Sequence, residues 1–346
     1  MNSKKLPTAL VGAGMWGRTL LRALCAIPTI DVRMVVDPSP SARSRAQSVA
    51  PMVPTADDIR AALADTNIEA IVIATPALTH AELAIAALEA GKHVLVEKPL
   101  CMSTDEGERI ERVASSSSGH LMVGHLMLYH PAVQKLRSVV RSGELGTLRY
   151  LYATRVNLGT VRREENAWWS LAPHDLSMIL DLVGTLPERI AVHGAAYLTP
   201  GVEDVVFAHL VFPGGIVASI HVSWLDPHKR RELTVVGDRK MVCFDDVQPG
   251  EKLRIYDKGA DIKSEFTSFA EFVALRHGDV TIPRLEAIEP LQAELEHFAS
   301  AMLTSTPPHT SLASGLDVVR VLEAGQRSLE SGGLPVGIET HEIETF

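Results

Sequence analysis

The first third of the chain alternates between short apolar runs and longer segments with helical periodicity. The apolar runs are TALVGAG (8–14), VRMVVD (32–37), EAIVIAT (69–75), HVLVE (93–97) and HLMVGHL (120–126). After the first run, Leu20, Leu24 and Ile27 fall on one helical face. Further along, Ser103 and Glu106 form a capping box that begins another helix. Strands that alternate with helices predict a parallel, doubly wound sheet of the α/β class.

The pattern changes after about residue 122, where strand-like runs begin to follow one another directly. PGG (213–215) is typical of a hairpin turn between two such runs, and two helical periods, 289–303 and 312–331, close the chain. We therefore predict two domains: an α/β domain over 1–122, and an α+β domain with a large, mainly antiparallel open sheet over 123–346. The uncovered face of such a sheet predicts a homo-oligomer, a dimer or tetramer that forms through the sheet.

Composition and charge narrow the classes of partner. The chain has 346 residues, of which 46% are hydrophobic and 22% are charged, as in ordinary globular proteins. The net charge of −9 argues against a nucleic-acid partner, because phosphate binding needs a basic face. No apolar run reaches the roughly 18 residues of a membrane span, and the first strand begins too close to Met1 for a signal peptide. These features predict a cytoplasmic protein that contacts neither membrane nor nucleic acid.

The first predicted strand ends in a glycine-rich turn. Gly12, Gly14 and Gly17 form G-x-G-x-x-G, with Met15 and Trp16 at the variable positions. Glycines at this spacing, between a strand and a helix, let the backbone approach a pyrophosphate at the helix N-terminus. The motif therefore predicts a Rossmann dinucleotide-binding domain, and we assign all five residues to the cofactor site.

Asp37 ends the second predicted strand, 20 residues after Gly17. A carboxylate at this place accepts hydrogen bonds from the adenosine ribose and repels the 2′-phosphate of NADP, so NAD is the predicted cofactor. Arg43 and Arg45 follow Asp37. For these two arginines a solvated helix face is favoured over a clamp for a phosphate.

Two later strands end in ATPALTH (74–80) and EKP (97–99). Ligands of an open α/β sheet bind at the carboxyl ends of its strands, so both segments are predicted to face the cofactor. The pattern A-T-P-x-x-x-H followed by E-K-P, behind an N-terminal G-x-G-x-x-G, resembles the Gfo/Idh/MocA family of oxidoreductases. The resemblance covers nearly the whole chain, including the order of the two domains.

The resemblance implies roles for several residues. Lys98 matches the active-site lysine of the family, which contacts both the nicotinamide region and the reacting hydroxyl. Thr75, Pro76 and His80 match the loop that packs near the ribose and nicotinamide, and Glu97 joins them in the predicted cofactor site. His174 matches the histidine that faces the reacting carbon. The family commonly has D-x-G-x-H there, whereas this chain has S-L-A-P-H, with Ser170 in place of the aspartate.

Oxidation of a secondary alcohol needs a hydride acceptor and a base for the proton. A histidine suits proton transfer near neutral pH, and a lysine near a cationic nicotinamide is expected to have a lowered pKa. We assign proton abstraction to His174 and orientation of the oxygen to Lys98; the reverse division is the alternative.

The segment RVNLGTVRREENAWWSLAPHD (155–175) is predicted to pass the mouth of the site. Its amides, charges and aromatic rings suit a sugar, although a loop of this kind also suits a dimer contact. The predicted substrate-binding residues are Tyr129, Arg155, Asn157, Arg163, Glu165, Asn166, Trp169 and Asp175, with Arg162, Glu164, Asp226, His228 and Arg230 as further candidates. His120, His125 and His130 are five residues apart, a spacing that fits neither a helix face nor a strand face, so no metal site is predicted.

Within the family, the segments around residues 157–175 and 223–229 resemble a subgroup from amino-sugar pathways in polysaccharide or antibiotic biosynthesis. Its members oxidise the C3 hydroxyl of a sugar to a ketone before transamination. A nucleotide sugar and an aminoglycoside-type pseudosaccharide are the competing substrates. A 3-ketosugar reductase, an NAD-dependent glycosidase of the same fold and a non-catalytic NAD sensor are the alternative functions.

Overall fold

The computed structural model describes residues 4–159, 161–163, 165–262 and 273–338. The chain forms two compact units. The first contains the residues up to Tyr129 and the later segment Ile288–Arg320, and the second contains His130–Ala287 and the chain from Val321 onward. Within the described ranges, every helix is too short or too polar to span a bilayer.

The first unit is built on a parallel sheet. In the described residues its strands are β1 (Leu6–Val11), β2 (Ile30–Val36), β3 (Thr55–Ala56), β4 (Ala70–Ile73), β5 (His93–Glu97) and β6 (Leu121–Gly124). They lie in the order β3-β2-β1-β4-β5-β6, and every pair is parallel. The order reverses between β1 and β4, which is the point where ligands bind in sheets of this kind. This sheet confirms the predicted Rossmann fold.

Helices lie between the strands, in the alternation that the sequence predicted. They are α1 (Met15–Ala26), α2 (Pro40–Val49), α3 (Arg60–Ala64), α4 (His80–Glu89) and α5 (Thr104–Ser116). On α1, Leu20, Leu21 and Leu24 are fully buried, because a parallel sheet must be covered on both faces. The predicted cap of α5 is present: the Ser103 hydroxyl accepts from the Glu106 N–H at 3.2 Å.

A helix from the end of the chain completes the first unit. Helix α8 (Pro290–Thr304), numbered after the two helices of the second unit, packs against α1 and β1. Its apolar face, which includes Leu295 and Phe298, lies in the same core as Leu20 and Leu24 of α1. The predicted domain over 123–346 includes this helix, whereas the structure places it in the first unit. Helix α9 (Leu312–Glu330) follows, and its residues divide between the units at Arg320.

The second unit is built on a large, mainly antiparallel sheet, as predicted. Its described strands are β7 (Leu148–Val156), β8 (Arg189–Ala195), β9 (Val205–Val211), β10 (Val217–Ser223), β11 (Arg230–Gly237), β12 (Met241–Asp245), β13 (Leu253–Ile262), β14 (Val273–Thr281) and β15 (Val336–Gly337). The order is β14-β13-β12-β11-β7-β10-β9-β8-β15, and β7 and β10 are the parallel neighbours. The predicted PGG turn joins the antiparallel strands β9 and β10.

The two faces of this sheet differ. Helix α7 (Ala167–Val183) packs on β7, β9 and β10, and α6 (Pro131–Arg141) packs on α7 and β12. On the opposite face Tyr150, Tyr152 and Phe207 are 42%, 43% and 53% exposed. Alternation of buried and exposed positions along β9 and β10 produces this difference.

Candidate active site

The turn after β1 requires glycine at two positions. Gly12 has a φ of +97°, and a Cβ there would lie 2.5 Å from the carbonyl oxygen of Ala74. A Cβ at Gly17 would lie 2.0 Å from the carbonyl oxygen of Gly12. The end of β4 and the first turn of α1 can approach the loop this closely only because side chains are absent.

Gly14 has a different environment. Among the described residues, a Cβ at Gly14 would have no heavy atom within 4 Å, and no side chain caps the N-terminus of α1 that begins there. Open space therefore lies in front of N–H groups that need an acceptor. Such a cradle fits the pyrophosphate of a dinucleotide, because the helix dipole and the N–H groups both favour an anion.

Asp37 connects this loop to the segment after β2. Its carboxylate accepts from the Ala13 N–H at 2.7 Å and from the Ser39 N–H at 2.8 Å. Each carboxylate oxygen keeps a further lone pair for a ribose hydroxyl. Arg43 donates to the carbonyl oxygens of Asp37 at 2.7 Å and Pro38 at 3.0 Å, whereas Arg45 is exposed. Arg43 is thus tied to the backbone beside Asp37 rather than extended into solvent.

Lys98 directly follows β5, whose last residue is Glu97. The indole N–H of Trp16 donates to Glu97 Oε1 at 2.6 Å, which links the glycine-rich loop to the strand that precedes the lysine. Burial raises the pKa of the Glu97 carboxyl, while the hydrogen bond from Trp16 and the charge of Lys98 oppose that rise. The first unit therefore places an ionisable pair, Glu97 and Lys98, at the same sheet edge as the glycine turn.

His80 joins two strand ends near Lys98. It is buried, with Nδ1 at 2.7 Å from the carbonyl oxygen of Pro99 and Nε2 at 3.0 Å from that of Thr75. Thr79 in turn donates to the Thr75 hydroxyl at 2.7 Å, and Pro76 is exposed. His80 thus holds the loop after β4 to the segment that follows Lys98, and Thr75 and Pro76 are its more accessible members.

Sequence reasoning missed two buried groups in this region, His125 and Glu294. His125 follows Gly124, which pairs with Glu97 across β5 and β6. Neither of its ring nitrogens has a hydrogen-bond partner among the described residues. Burial, and to a smaller extent the charge of Lys98, lowers the pKa of His125 to about 3. Glu294 lies on α8 and is 1% exposed. In the sequence, Glu294 interrupts an apolar helix face formed by Leu291, Leu295 and Phe298. That interruption is the pattern that could have identified Glu294 as a candidate.

In the second unit Arg155 and Asp175 form a buried ion pair. Arg155 Nε lies 2.8 Å from Asp175 Oδ2 and Nη2 lies 2.9 Å from Oδ1. The residues are 5% and 0% exposed. A bidentate pair of this kind joins β7 to α7 and fixes the helix position next to His174.

His174 lies on α7, directly before Asp175. Helix α7 begins at the Asn166 cap, whose side-chain oxygen accepts from the Trp169 N–H at 3.1 Å. The Asn166 amide also donates to Glu203 at 2.7 Å and Gln326 at 3.0 Å. His174 is half-buried, and its carbonyl accepts from the Ser177 hydroxyl at 2.9 Å. The start of the helix that carries His174 is therefore held on several sides.

The remaining predicted substrate residues differ in accessibility. Arg163 is exposed, Asn157 and Glu165 are partly buried, and Trp169 is buried at 6% exposure. Arg162 forms an ion pair with Glu165. Glu164 lies outside the described residues. Asp226 is partly buried and accepts from the His228 N–H at 2.8 Å, while His228 and Arg230 are exposed.

Tyr129 belongs to the first unit. Its hydroxyl lies 3.0 Å from the Thr310 hydroxyl, and its ring packs 5.4 Å from that of His297. The predicted site residues thus fall into two groups. The glycine turn, Asp37, the 75–80 loop, Glu97, Lys98 and Tyr129 are in the first unit, and Arg155, Asn157, Arg163, Glu165, Asn166, Trp169, His174 and Asp175 are in the second.

No group of three or more histidine, cysteine, aspartate or glutamate side chains in the described part of the chain is arranged to hold a metal ion. His130, one of the three regularly spaced histidines, instead accepts from the Ala132 N–H at 3.0 Å and faces Asp246 at 3.5 Å.

Comparison with known proteins identifies the class. Residues 6–125 match the Gfo/Idh/MocA oxidoreductase family with an NAD-binding Rossmann fold, and residues 133–243 match the GFO/IDH/MocA C-terminal domain. The two regions together cover more than half of the chain. The protein therefore belongs to the Gfo/Idh/MocA family, and it is an oxidoreductase with NAD as cofactor.

Individual relatives match most of the length of the chain. UDP-N-acetylglucosamine 3-dehydrogenase of Acidithiobacillus ferrooxidans is 27% identical over 301 residues, which are 87% of this chain and 90% of that enzyme. The solved structure of that dehydrogenase aligns with a TM-score of 0.79 at 25% identity and covers 94% of this chain and 98% of its own. The crystal structure of GenD2 from gentamicin A biosynthesis, in complex with NAD, has a TM-score of 0.81 at 23% identity over 98% of both chains, which shows a shared fold.

Proposed function

We propose that this protein is an NAD-dependent sugar dehydrogenase that oxidises a secondary hydroxyl, at C3 of an amino sugar, to a ketone that a transaminase then consumes. The observation that carries the proposal is the sheet edge of the first unit. There Lys98 follows a strand whose last residue is hydrogen-bonded to Trp16 of the glycine-rich loop. A lysine at this edge is suited to orient an alcohol beside a nicotinamide.

Each group has a distinct part in the chemistry. The glycine turn, the N-terminus of α1 and Asp37 would hold NAD, which accepts a hydride from the alcohol carbon when bound. Lys98 donates a hydrogen bond to the reacting oxygen and polarises it. His174 takes the hydroxyl proton, and the Arg155–Asp175 pair and the Asn166 cap keep its helix in place.

We favour a nucleotide-linked amino sugar over an aminoglycoside. The similarity to UDP-N-acetylglucosamine 3-dehydrogenase supports this choice. Within the loop, Arg163 is exposed and has the charge to meet a phosphate. Glu165 and Asp175, which would bind the ammonium groups of an aminoglycoside, are paired with Arg162 and Arg155 instead.

The proposal also includes a homo-oligomeric state and a cytoplasmic location. The exposed aromatic residues Tyr150, Tyr152 and Phe207 on the uncovered sheet face support a homo-oligomer that forms through that face. NAD-dependent chemistry and the widely spaced cysteines support a cytoplasmic location.

The test is a substrate panel followed at the NADH absorption band. The panel contains UDP-N-acetylglucosamine, its uronate and aminoglycoside intermediates. We expect NADH formation with a UDP-amino sugar, and reduction of the product with borodeuteride places deuterium at C3. Lys98→Met and His174→Asn each lower kcat by about 10²- to 10⁴-fold, while the exposed control His277→Asn stays within about twofold. Release of free sugar without net NADH, or normal turnover in both variants, contradicts the proposal.

A further inference from the structure

One cross-strand row of the second sheet has histidines at one end and carboxylates at the other. Register partners on β8, β9, β10, β7, β11 and β12 share a face, because paired residues of adjacent strands point to the same side. The row is His193, Phe207, His221, Thr154, Glu232 and Asp245. All six are at least partly exposed, and the row lies on the face that also carries Tyr150 and Tyr152.

The histidine end of the row is held by packing. The ring of His221 stacks on that of Phe207 at 4.2 Å between ring centroids. The imidazole of His193 lies against Gly333, where a Cβ would collide with it. The chain at this point, residues 331–335, has no charged side chain. Since Phe207 and Thr154 are uncharged as well, both imidazoles lie at the surface without a charged neighbour in the row.

The carboxylate end of the row brings two like charges together. Glu232 and Asp245 are direct register partners of the antiparallel strands β11 and β12. Like charges at directly opposite positions destabilise a strand pair. Within one copy, β7 separates these carboxylates from His221, the nearer histidine of the row. A cationic group placed over the sheet from outside would therefore stabilise this end.

Charged groups outside the row also act on the histidines. Burial lowers the pKa of His221, while the charge of Asp226 opposes that change and the charge of Arg230 adds to it. Arg189 lies on the same face of β8, four residues before His193, and His209 lies on the same face of β9. Burial and Arg230 thus favour a neutral His221 in a single copy, with Asp226 acting against them.

The two ends of the row complement each other. At a two-fold interface between identical copies, one surface must supply both partners of every charge pair. The row supplies imidazoles at one end and carboxylates at the other. Beside its middle lie Tyr150 and Tyr152, stacked at 6.3 Å between ring centroids. A second copy of this chain is therefore the partner that fits this face.

We propose that two copies of this chain pack face to face with the row reversed, so that the histidine end of each row lies over the Glu232–Asp245 end of the other. A two-fold axis parallel to the strands produces this arrangement, because it reverses the order of the strands across the sheet. The middle strands of the row, β10 and β7, then lie nearest to the axis. This contact rests on the homo-oligomer of the proposed function, to which it adds the register of the two sheets and a dependence on pH.

The pairing of charges makes association depend on pH. Histidine is the side chain whose charge changes between about pH 5 and 8. A carboxylate of the other copy stabilises the imidazolium, so the associated form binds more protons than the separate chains do, and association strengthens as pH falls. With the two-fold axis along the row instead, histidines would lie over histidines and acid would weaken the contact.

The test is fluorescence-detected sedimentation velocity of the full-length protein, diluted in steps at pH 8, 7 and 6. We expect the Kd of the pairing to fall about tenfold from pH 8 to pH 6, because exposed charge pairs contribute little singly but several form together. Two double variants, His193→Gln with His221→Gln and Glu232→Gln with Asp245→Asn, should each lose most of this change.

His209→Gln is the matched control, because its row on the same face runs through Ser219 and Cys243 to Arg254 rather than to a carboxylate. It should keep the pH dependence of the wild type. A Kd that rises in acid, that does not change with pH, or that keeps its pH dependence in either double variant overturns the reversed pairing. A protein that stays monomeric at every pH contradicts the homo-oligomer as well. Turnover of the sugar panel is measured separately, so the dehydrogenase reaction and the pairing fail independently.

Discussion

At the scale of single residues, the site depends on hydrogen bonds that fix charged groups before a ligand arrives. Asp37 accepts two backbone N–H groups, His80 faces two carbonyl oxygens, and Arg155 and Asp175 bond each other bidentately. Residue identity and spacing predicted Asp37 as a site candidate, and the family resemblance implied Lys98 and His174. Their partners could not be predicted, because Asp175, for example, meets an arginine 20 residues away only in the folded sheet.

Asp37→Asn should weaken NAD binding and reduce the preference for NAD over NADP. The neutral amide has one acceptor oxygen instead of two and no longer repels a 2′-phosphate, while Arg43 stays beside it. We expect the Kd for NAD to rise about tenfold, which corresponds to about 1.4 kcal/mol. Calorimetric titration with both cofactors, with exposed Asp57→Asn as control, checks this; equal loss of affinity for both cofactors contradicts it.

Asp175→Asn should destabilise the second unit by about 3–5 kcal/mol, because it leaves the buried Arg155 guanidinium without its counter-charge. Urea denaturation measures the loss. The double variant Arg155→Met with Asp175→Leu, which removes both charges, should recover most of it. A double variant that is less stable than Asp175→Asn argues against an unpaired charge as the cause.

The free energy of unfolding should depend on pH because of His125. Its pKa is about 3 in the folded protein against an ordinary value of 6.5. The unfolded chain therefore binds more protons between these values, and the free energy of unfolding falls as pH drops through this window, by at most about 1.4 kcal/mol per pH unit. Urea midpoints measured from pH 7.5 to 5 should fall less steeply for His125→Gln than for wild type. The exposed control His228→Gln should follow wild type, and parallel curves for all three refute the assignment.

At the scale of elements, the apolar periods predicted most of the strands and helices that form the site. The reason is that strands buried on both faces and helices with one apolar face leave clear patterns. Helix α8 shows the limit of this reasoning. Its apolar face was visible in the sequence, but a periodic pattern does not say which sheet the face will cover. The structure packs it on α1 and β1.

Phe298→Ala should therefore impair the nucleotide-binding unit, although residue 298 is far from the glycine turn in sequence. The ring is fully buried in the core shared with α1, so its removal should cost about 3–5 kcal/mol. Differential scanning calorimetry with and without NAD measures the loss. Glu296→Ala on the exposed side of the helix should change stability by less than about 0.5 kcal/mol. Retention of wild-type stability by Phe298→Ala contradicts the packing of α8 described above.

At the scale of the whole molecule, the face of the second sheet opposite α7 carries exposed aromatic side chains in the described part of the chain. Phe207 lies there with its ring stacked on His221, at 4.2 Å between ring centroids. Replacing Tyr152 and Phe207 by Arg and Glu should shift the protein from oligomer to monomer, because charged groups would have to be desolvated in the interface. Sedimentation velocity measures the proportions of oligomer and monomer. Met52→Glu, at a position 93% exposed in the first unit, is the control; a monomeric wild-type protein contradicts the proposal.

The sequence by itself determined the class of this protein. Spacing alone specifies the glycine turn, Asp37 and the E-K-P strand end, because each depends on residues that are near one another in the chain. Only the tertiary structure decided that Trp16 bonds Glu97, that Arg155 pairs with Asp175 and that Glu294 and His125 are buried. The two pairings join residues that are 81 and 20 positions apart. No local pattern encodes them, since burial and charge pairing depend on which elements the fold brings together.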